Sequence, residues 1–111
     1  MKINEEAVHR RFTDMVLSGH HISYVPEGYR SGAMVDYSCR HHAKSLAYLD
    51  TENLSMENLR AAVAFDPCNI RFVSDNVESF ELWLIACTKE PSYVTYAPDR
   101  YKNELKTFVD L

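Results

Sequence analysis

Residues 59–77 read LRAAVAFDPCNIRFVSDNV, and this stretch decides the fold. An apolar helical pattern stops at Asp66-Pro67, and a second, shorter pattern resumes at once with Ile70 and Phe72. The residue before a proline is pushed out of the α region, so the first helix ends there. Proline suits the first position of a following helix, with an acidic residue as its N-cap. The stretch therefore predicts a long helix, a tight corner and a short helix.

The same pattern occurs four times at a fixed spacing of 24 residues. Glu90-Pro91 repeats the acid–proline corner, while Gly19 and Ala43 take the proline position in the two earlier copies. Within the short helix, two sets of residues recur in phase, the apolar Ile22, Leu46, Ile70 and Val94 and the aromatic Tyr24, Tyr48, Phe72 and Tyr96. Self-similarity at a fixed period of this length indicates a helical repeat array.

A further phase marks the start of each long helix. Serine and asparagine are preferred N-caps because their side-chain oxygens accept a free backbone N–H of the first turn. The residues at this phase are Ser31, Ser55, Ser79 and Asn103. The sequence thus predicts that a long helix begins directly after each of them.

We therefore predict an all-α fold, a short right-handed helical-repeat stack of four helix-pair units plus a C-terminal capping helix. The units cover about residues 7–30, 31–54, 55–78 and 79–102, and the cap covers residues 103–111. We expect the cap to close the open end through Leu105, Phe108 and Val109. Trp83 falls on the apolar stripe and is predicted to be buried. The aromatic set is predicted to form a packed ladder.

The core pattern also carries a resemblance. Residues 62–73 read A-V-x-x-x-P-x-x-I-x-F-V, echoed by A-C-x-x-x-P-x-x-V-x-Y-A at 86–97 and by I-x-Y-V-P at 22–26. This pattern resembles a short bacterial helical repeat that is catalogued as a domain of unknown function and occurs in tandem in bacterial and phage-associated proteins. The resemblance covers about residues 12–108. It implies the helical fold and no catalytic residues.

The composition of the chain argues against several classes of function. The formal net charge of −4 over 111 residues does not suggest a phosphate-binding surface, so we expect no direct nucleic-acid binding. The polar opening indicates no signal peptide, and no apolar run approaches the roughly 20 residues that a membrane span needs. Three cysteines cannot all pair within the chain and lack C-x-x-C spacing. Reduced thiols in the cytoplasm are the expected state.

Two histidine pairs are the first candidates for chemistry. His20-His21 and His41-His42, with Cys39 beside the second pair, carry metal-capable side chains. Adjacent residues on a helix point about 100° apart, and neither C-x-x-C nor H-x-x-x-H spacing is present. We therefore predict no bound metal and no cofactor, with the histidines at the surface or at corners.

The cysteines are the second candidates. Cys39 and Cys87 share a repeat phase with Met15 and Val63, which favours small core residues over a Cys–His nucleophile pair. Cys68 follows the corner proline, at a position compatible with exposure. No phosphate loop, G-x-S-x-G or H-E-x-x-H motif is present, so we predict no catalytic residues and no enzyme activity.

Stacked helix pairs make extended surfaces, so the predicted function is to bind another protein. We expect the contact surface at residues outside the core phases, namely His20, His21, Tyr29, Lys44, Arg71, Tyr93, Thr95 and Tyr101. The shared phase of Tyr29 and Tyr101 also suggests packing between units. By analogy with other compact binders, the expected role is a stand-alone inhibitor or adaptor, phage-encoded and directed at a host defence or nucleic-acid-handling complex.

Two alternatives stay open. The first is a metal- or thiol-dependent enzyme that uses the His-rich N-terminal half, which a stoichiometric transition metal would favour. The second is a homo-oligomer that stacks end to end through its terminal repeats, which a concentration-dependent elution volume would favour.

Overall fold

The computed structural model describes residues 2–108, and all regular secondary structure in this range is helical. The α-helices are α1 (Glu5–Leu17), α2 (Gly32–His41), α3 (Met56–Phe65), α4 (Phe80–Lys89) and α5 (Asp99–Phe108). The 3-10 helices are η1 (Ile22–Tyr24), η2 (Glu27–Tyr29), η3 (Ser45–Tyr48), η4 (Thr51–Asn53), η5 (Pro67–Phe72) and η6 (Pro91–Tyr96). The all-α prediction is confirmed. Within the same range, none of the helices combines the length and the apolar character needed to cross a membrane.

The middle helices begin where the serine phase predicts. Helices α2, α3 and α4 have ten residues each, and each begins one residue after Ser31, Ser55 or Ser79. The side chains of Ser31 and Ser55 accept a backbone N–H of the first turn, as N-caps do. Ser79 occupies the same position but makes no such bond, and the Glu78 carboxylate accepts the Phe80 N–H instead.

The predicted acid–proline corners are also present. Helices α3 and α4 end directly before Asp66-Pro67 and Glu90-Pro91, and each proline is the first residue of a six-residue 3-10 helix. The Asp66 carboxylate accepts the Cys68 N–H, which fixes the start of η5. The short helices are thus of the 3-10 type, a difference that decides which of their side chains are buried.

Helices that are neighbours in the sequence are neighbours in space. Each α-helix from α1 to α4 packs on the next, while η1 packs on η3 and η3 on η5. The molecule is elongated, with extents of 61 × 25 × 18 Å. The predicted burial of Trp83 is confirmed. The core between the layers contains the apolar in-phase set and the small helix residues: Ile22, Leu46, Ile70, Val94, Cys39, Ala62, Val63, Ala86 and Cys87.

The C-terminal helix differs from the predicted cap. Helix α5 begins at Asp99, directly after a proline whose fixed φ suits a helix start, so Asn103 lies inside the helix and is not its N-cap. Leu105 is fully buried, as predicted. Phe108 is 59% exposed, so its predicted role in closing the end is wrong. Val109 lies outside the described residues.

Candidate functional site

Four exposed aromatic side chains mark the surface of the 3-10 helices. Each is the last residue of a 3-10 helix that follows an α-helix. The exposed fractions are 69% for Tyr24, 48% for Tyr48, 38% for Phe72 and 74% for Tyr96. The prediction that these residues form a buried ladder is therefore wrong. We call this exposed set the aromatic row.

The geometry of the 3-10 helix explains the exposure. Such a helix has three residues per turn, so residues i and i+3 lie on one face. Ile22 is buried together with Val25, three positions later, whereas Tyr24 lies between them on a different face. Val94 and Ala97 form the equivalent buried pair at η6. The last residue of each of these 3-10 helices is therefore an aromatic side chain that lies on the outside.

A cleft of about 440 Å³ opens between η5 and η6. Its walls include Trp83 from α4 and Tyr93 and Tyr96 from η6. The charged side chains in its lining are Arg71 and Asp75. The cleft thus lies at the C-terminal end of the aromatic row. Its walls are apolar and aromatic, and they include one cationic and one anionic side chain.

Three predicted contact residues lie at or beside this cleft. Arg71 and Tyr93 line it, and Thr95 is exposed on η6. The Tyr93 ring meets the Tyr96 ring edge to face, with 6.4 Å between the centroids. Burial, followed by the nearby Cys68 thiol, raises the pKa of Tyr93, so its phenol is neutral at physiological pH.

A shallower hollow of about 300 Å³ occupies an equivalent position near the N-terminal end. Val35 and Asp50 line it 48 residues before Trp83 and Pro98, which line the cleft. Arg30 also lines this hollow, and its guanidinium donates hydrogen bonds to two backbone carbonyls. The aromatic character of the cleft is therefore particular to the C-terminal half.

The histidine pairs are split between surface and interior. The exposed His20 ring lies beside the Met15 carbonyl, with Nδ1 at 3.1 Å from the oxygen. His21 Nδ1 accepts the Ser23 N–H, and its Nε2 donates to the Ala43 carbonyl at 2.9 Å, which ties the first corner to the second. His42 is buried and stacks on the His21 ring at 5.3 Å. The structure thus brings together one histidine from each pair.

The described residues contain no group of three or more His, Cys, Asp or Glu side chains that could hold a metal ion. The prediction that Cys39 and Cys87 are core residues is confirmed, since both are fully buried, and Cys68 is partly buried. Burial raises the pKa of the Cys39 thiol to about 11. A nucleophilic cysteine needs a depressed pKa, so Cys39 lacks the property that the thiol-enzyme alternative requires.

The other predicted contact residues are used within the molecule. The Tyr29 hydroxyl donates to the Glu5 carboxylate. Tyr101 is buried, and its hydroxyl accepts the Ser79 N–H and donates to the Glu78 carboxylate. Each of these bonds joins residues 22 to 24 positions apart, so both tyrosines hold an earlier element of the chain in place. Packing between units through this tyrosine phase stays a prediction.

Lys44 lies at the second corner with an exposed side chain and a left-handed backbone, φ 55°. Its backbone N–H donates to the Asp66 carboxylate at 2.8 Å. The predicted contact residues therefore divide into a cleft group (Arg71, Tyr93), a corner group (His20, His21, Lys44) and a packing group (Tyr29, Tyr101), with Thr95 exposed on η6 outside the cleft lining. The aromatic row was absent from that prediction, because helices as short as η1 and η3 carry no periodic signal that shows which face is buried.

The aromatic row and the cleft are the features from which a function can be inferred. The resemblance of residues 62–73 and 86–97 to the bacterial repeat stays a prediction. No protein-family model, no curated protein and no solved structure matches the chain.

Proposed function

We propose that the chain is a right-handed stack of four 24-residue helix-pair units, closed by α5, and that the stack binds another protein. The units proposed are about 7–30, 31–54, 55–78 and 79–102. The 24-residue spacing of the starts of α2, α3 and α4 supports this arrangement, as does the packing of each α-helix on the next. A stack of this kind offers one long surface on which every unit repeats the same side-chain position.

The aromatic row is the observation that carries the binding function. Large exposed aromatic residues are enriched at the energetic centres of protein interfaces, because they bury much area with few rotatable bonds. Scattered exposed apolar residues need no explanation, but four at one repeat position form an ordered feature. They are not needed to fill the core, since the buried face of each 3-10 helix is already filled by other residues. Tyr24, Tyr48 and Tyr96 each contact one neighbouring ring edge to face and stay largely exposed.

The cleft supports the same proposal by offering an anchor point. Interface hot spots typically fill well-packed pockets, and a cleft of about 440 Å³ has room for side chains of a partner. Trp83, Tyr93 and Tyr96 supply the apolar and aromatic walls for such an anchor. Arg71 and Asp75 can orient a polar group of the partner.

The narrower proposal is an inhibitor or adaptor that works in a reducing compartment such as the cytoplasm, where it blocks a basic protein of a host defence or nucleic-acid-handling complex. Three free cysteines support the compartment. The net charge of −4 supports a basic target. The resemblance to a repeat found in phage-associated proteins supports a phage origin.

Site-specific photocrosslinking in cells of the native host tests the binding function. A photoreactive phenylalanine analogue would replace Tyr48 or Tyr96 in the aromatic row, and exposed Arg10 or Asn103 on the long helices in matched controls. We expect the same crosslinked partner from both row positions and not from the controls. Equal yields of one partner at all four positions, or no crosslink from the row, would refute the proposal.

A further inference from the structure

The carboxylates of the chain concentrate in the segments that directly follow the residues of the aromatic row. The segments that lead from each row residue through the first turn of the next α-helix are residues 25–34, 49–58, 73–82 and 97–102. Their cations are Arg30, Arg100 and Lys102. Their carboxylates, all exposed, form what we call the acidic edge: Glu27, Asp50, Glu52, Glu57, Asp75, Glu78, Glu81 and Asp99.

Much of this negative charge is not neutralised within the molecule. Among the described residues, the edge carboxylates that form a salt bridge are Glu57, Glu81 and Asp99. Hydrogen bonds from Ser74 and Asn76 lower the pKa of Glu52. A hydrogen bond from the Tyr101 hydroxyl lowers the pKa of Glu78. The charge of Arg100 also interacts with Glu78 and Asp75. The exposed edge carboxylates outside these ion contacts are Glu27, Asp50 and Glu52.

Every member of the aromatic row has an edge carboxylate two or three residues later in the chain. The pairs are Tyr24 with Glu27, Tyr48 with Asp50, Phe72 with Asp75, and Tyr96 with Asp99. The face of an aromatic ring attracts a cation, and a nearby carboxylate adds a second attraction. The chain itself shows such a contact, since the Arg100 guanidinium carbon lies 4.7 Å from the Tyr101 ring centroid. One aromatic–acid pair per unit is thus a repeated binding element for Arg or Lys.

The spacing of these pairs suits an extended polypeptide. Packed helices lie about 8–10 Å apart, so equivalent positions in successive layers are separated by a similar distance. Three residues of a polyproline II segment span about 9 Å and complete one turn, so side chains at every third position lie on one face. A basic residue at every third position would therefore meet successive aromatic–acid pairs.

Resting on the protein-binding function above, we propose that the aromatic row and the acidic edge bind an extended basic segment of the partner, with Arg or Lys at about every third residue. Nucleic acid and anionic membranes fit this face less well, because their phosphates would meet the acidic edge. A second copy of this chain would meet the same obstacle, since it would bring an acidic edge of its own.

Fluorescence anisotropy with labelled peptides tests this inference on the full chain. The probe is a peptide of about twelve residues in extended conformation, with Arg at every third position and Ala or Pro between. One comparison peptide has the same composition with its Arg residues clustered, and another has Ala in place of Arg. We expect the spaced peptide to bind most tightly, with an affinity that falls as salt rises.

Two sets of variants locate the interaction on the protein. The first variant removes the ring faces by changing Tyr24, Tyr48 and Tyr96 to Ser. The second removes charge from the acidic edge through Glu27→Gln, Asp50→Asn and Asp75→Asn. All six side chains are exposed, and thermal melts verify that the fold is kept. We expect each set of substitutions to lower the affinity for the spaced peptide about tenfold or more. A matched control, Glu6→Gln with Asp14→Asn and Glu104→Gln, removes three exposed charges outside the edge and is expected to leave affinity unchanged.

The outcomes separate this inference from the function on which it rests. No measurable binding of the spaced peptide, or equal binding of the Ala peptide, overturns the basic-segment proposal. So does equal weakening by the control variant. If the row positions still crosslink a partner in those cases, the binding function stands and the partner segment has a different chemistry. If the crosslinking also fails, both proposals are wrong.

Discussion

The corners between an α-helix and the following 3-10 helix are built differently in the two halves of the molecule. In the C-terminal half, Asp66-Pro67 and Glu90-Pro91 end an α-helix and begin a six-residue 3-10 helix at once. In the N-terminal half, the 3-10 helices η1 and η3 have three and four residues. Each of those corners includes a residue with positive φ, Gly19 at 114° or Lys44 at 55°. The proline ring fixes the backbone of its corner, because it locks φ and keeps the preceding residue out of the α region.

The corners without proline need other support. Gly19 is the left-handed residue of a Schellman motif, in which its N–H donates to the Val16 carbonyl and the His20 N–H donates to the Met15 carbonyl. The corner at Lys44 is held from outside. Its backbone N–H groups donate to side chains that lie 22 or 23 residues later in the chain, Lys44 to Asp66 and Leu46 to Asn69. Hydrogen bonds from a later segment thus hold this corner in place of a proline.

Replacing Asn69 by Ala is the strongest way to break this arrangement. Asn69 is fully buried, accepts the Leu46 N–H at 3.1 Å and donates to the Ala62 carbonyl at 2.9 Å. Its loss leaves the buried Leu46 N–H without a partner, whereas the Ala62 carbonyl keeps the Asp66 N–H. We therefore expect about 2–3 kcal/mol lower free energy of unfolding in urea. The matched control is Ser45→Ala, because Ser45 holds the same repeat position and its buried Oγ has no partner within residues 2–108. A similar loss in both variants would contradict this account.

Gly19→Ala is expected to have the next largest effect. A Cβ at this position would meet no atom within 4 Å, so any cost comes from the backbone at φ 114°. We expect the free energy of unfolding, measured by heat or urea, to fall by about 1–2 kcal/mol.

Lys44→Gly tests the other proline-free corner. Glycine adopts the left-handed conformation without strain, which stabilises the folded state, but it also raises the entropy of the unfolded chain. The two effects offset each other, so we expect the free energy of unfolding to change by about 0.5 kcal/mol or less. A large loss in Lys44→Gly would mean that its side chain has a structural role.

Acid is expected to destabilise the N-terminal half first. Burial, followed by the nearby His21 and His41, lowers the pKa of His42 below its ordinary value of 6.5. The unfolded chain then binds more protons than the folded chain, so stability is full above about pH 6.5 and falls as the pH drops toward the lowered pKa. Hydrogen exchange should show faster opening of α1 and α2 at acid pH, with α4 less affected. His42→Phe should flatten the pH dependence, and an unchanged slope would assign it to other groups.

Metal removal is expected to have the smallest effect. Although all five histidines lie in the N-terminal half, the described residues form no group suited to metal binding. EDTA should leave the melting temperature of the purified protein unchanged, and elemental analysis should find no stoichiometric transition metal. A clear drop in the melting temperature with EDTA would support the enzyme alternative instead.

The sequence predicted the helices better than the surfaces. The N-cap phase gave the starts of α2, α3 and α4, and the acid–proline pairs gave two corners, because caps and prolines act on the local backbone. The 24-residue period told which residues share an environment. It did not tell whether that environment is inside or outside, which is why Tyr24 and its equivalents were misplaced.

The remaining differences arise from short segments. Three or four residues cannot distinguish a period of 3.0 from one of 3.6, so the 3-10 geometry of η1 and η3 was invisible in the sequence. The start of α5 was missed because the serine phase suggested Asn103, whereas Pro98 allows an earlier beginning. Of the candidate site, Arg71 and Tyr93 were predicted, since they stand outside the core phases. The cleft itself depends on the separation of η5 and η6, which no pattern of residue types encodes.

The packing of each α-helix on its neighbour in the chain has a consequence for how the molecule assembles and evolves. Contacts between nearby parts of a chain need only small loops to close, and proteins rich in such contacts fold in microseconds to milliseconds. A nascent chain could therefore add one finished layer at a time while the rest is still being synthesised. For the same reason, a lineage could lengthen or shorten the molecule by whole layers, since an inserted layer brings both of its own interfaces.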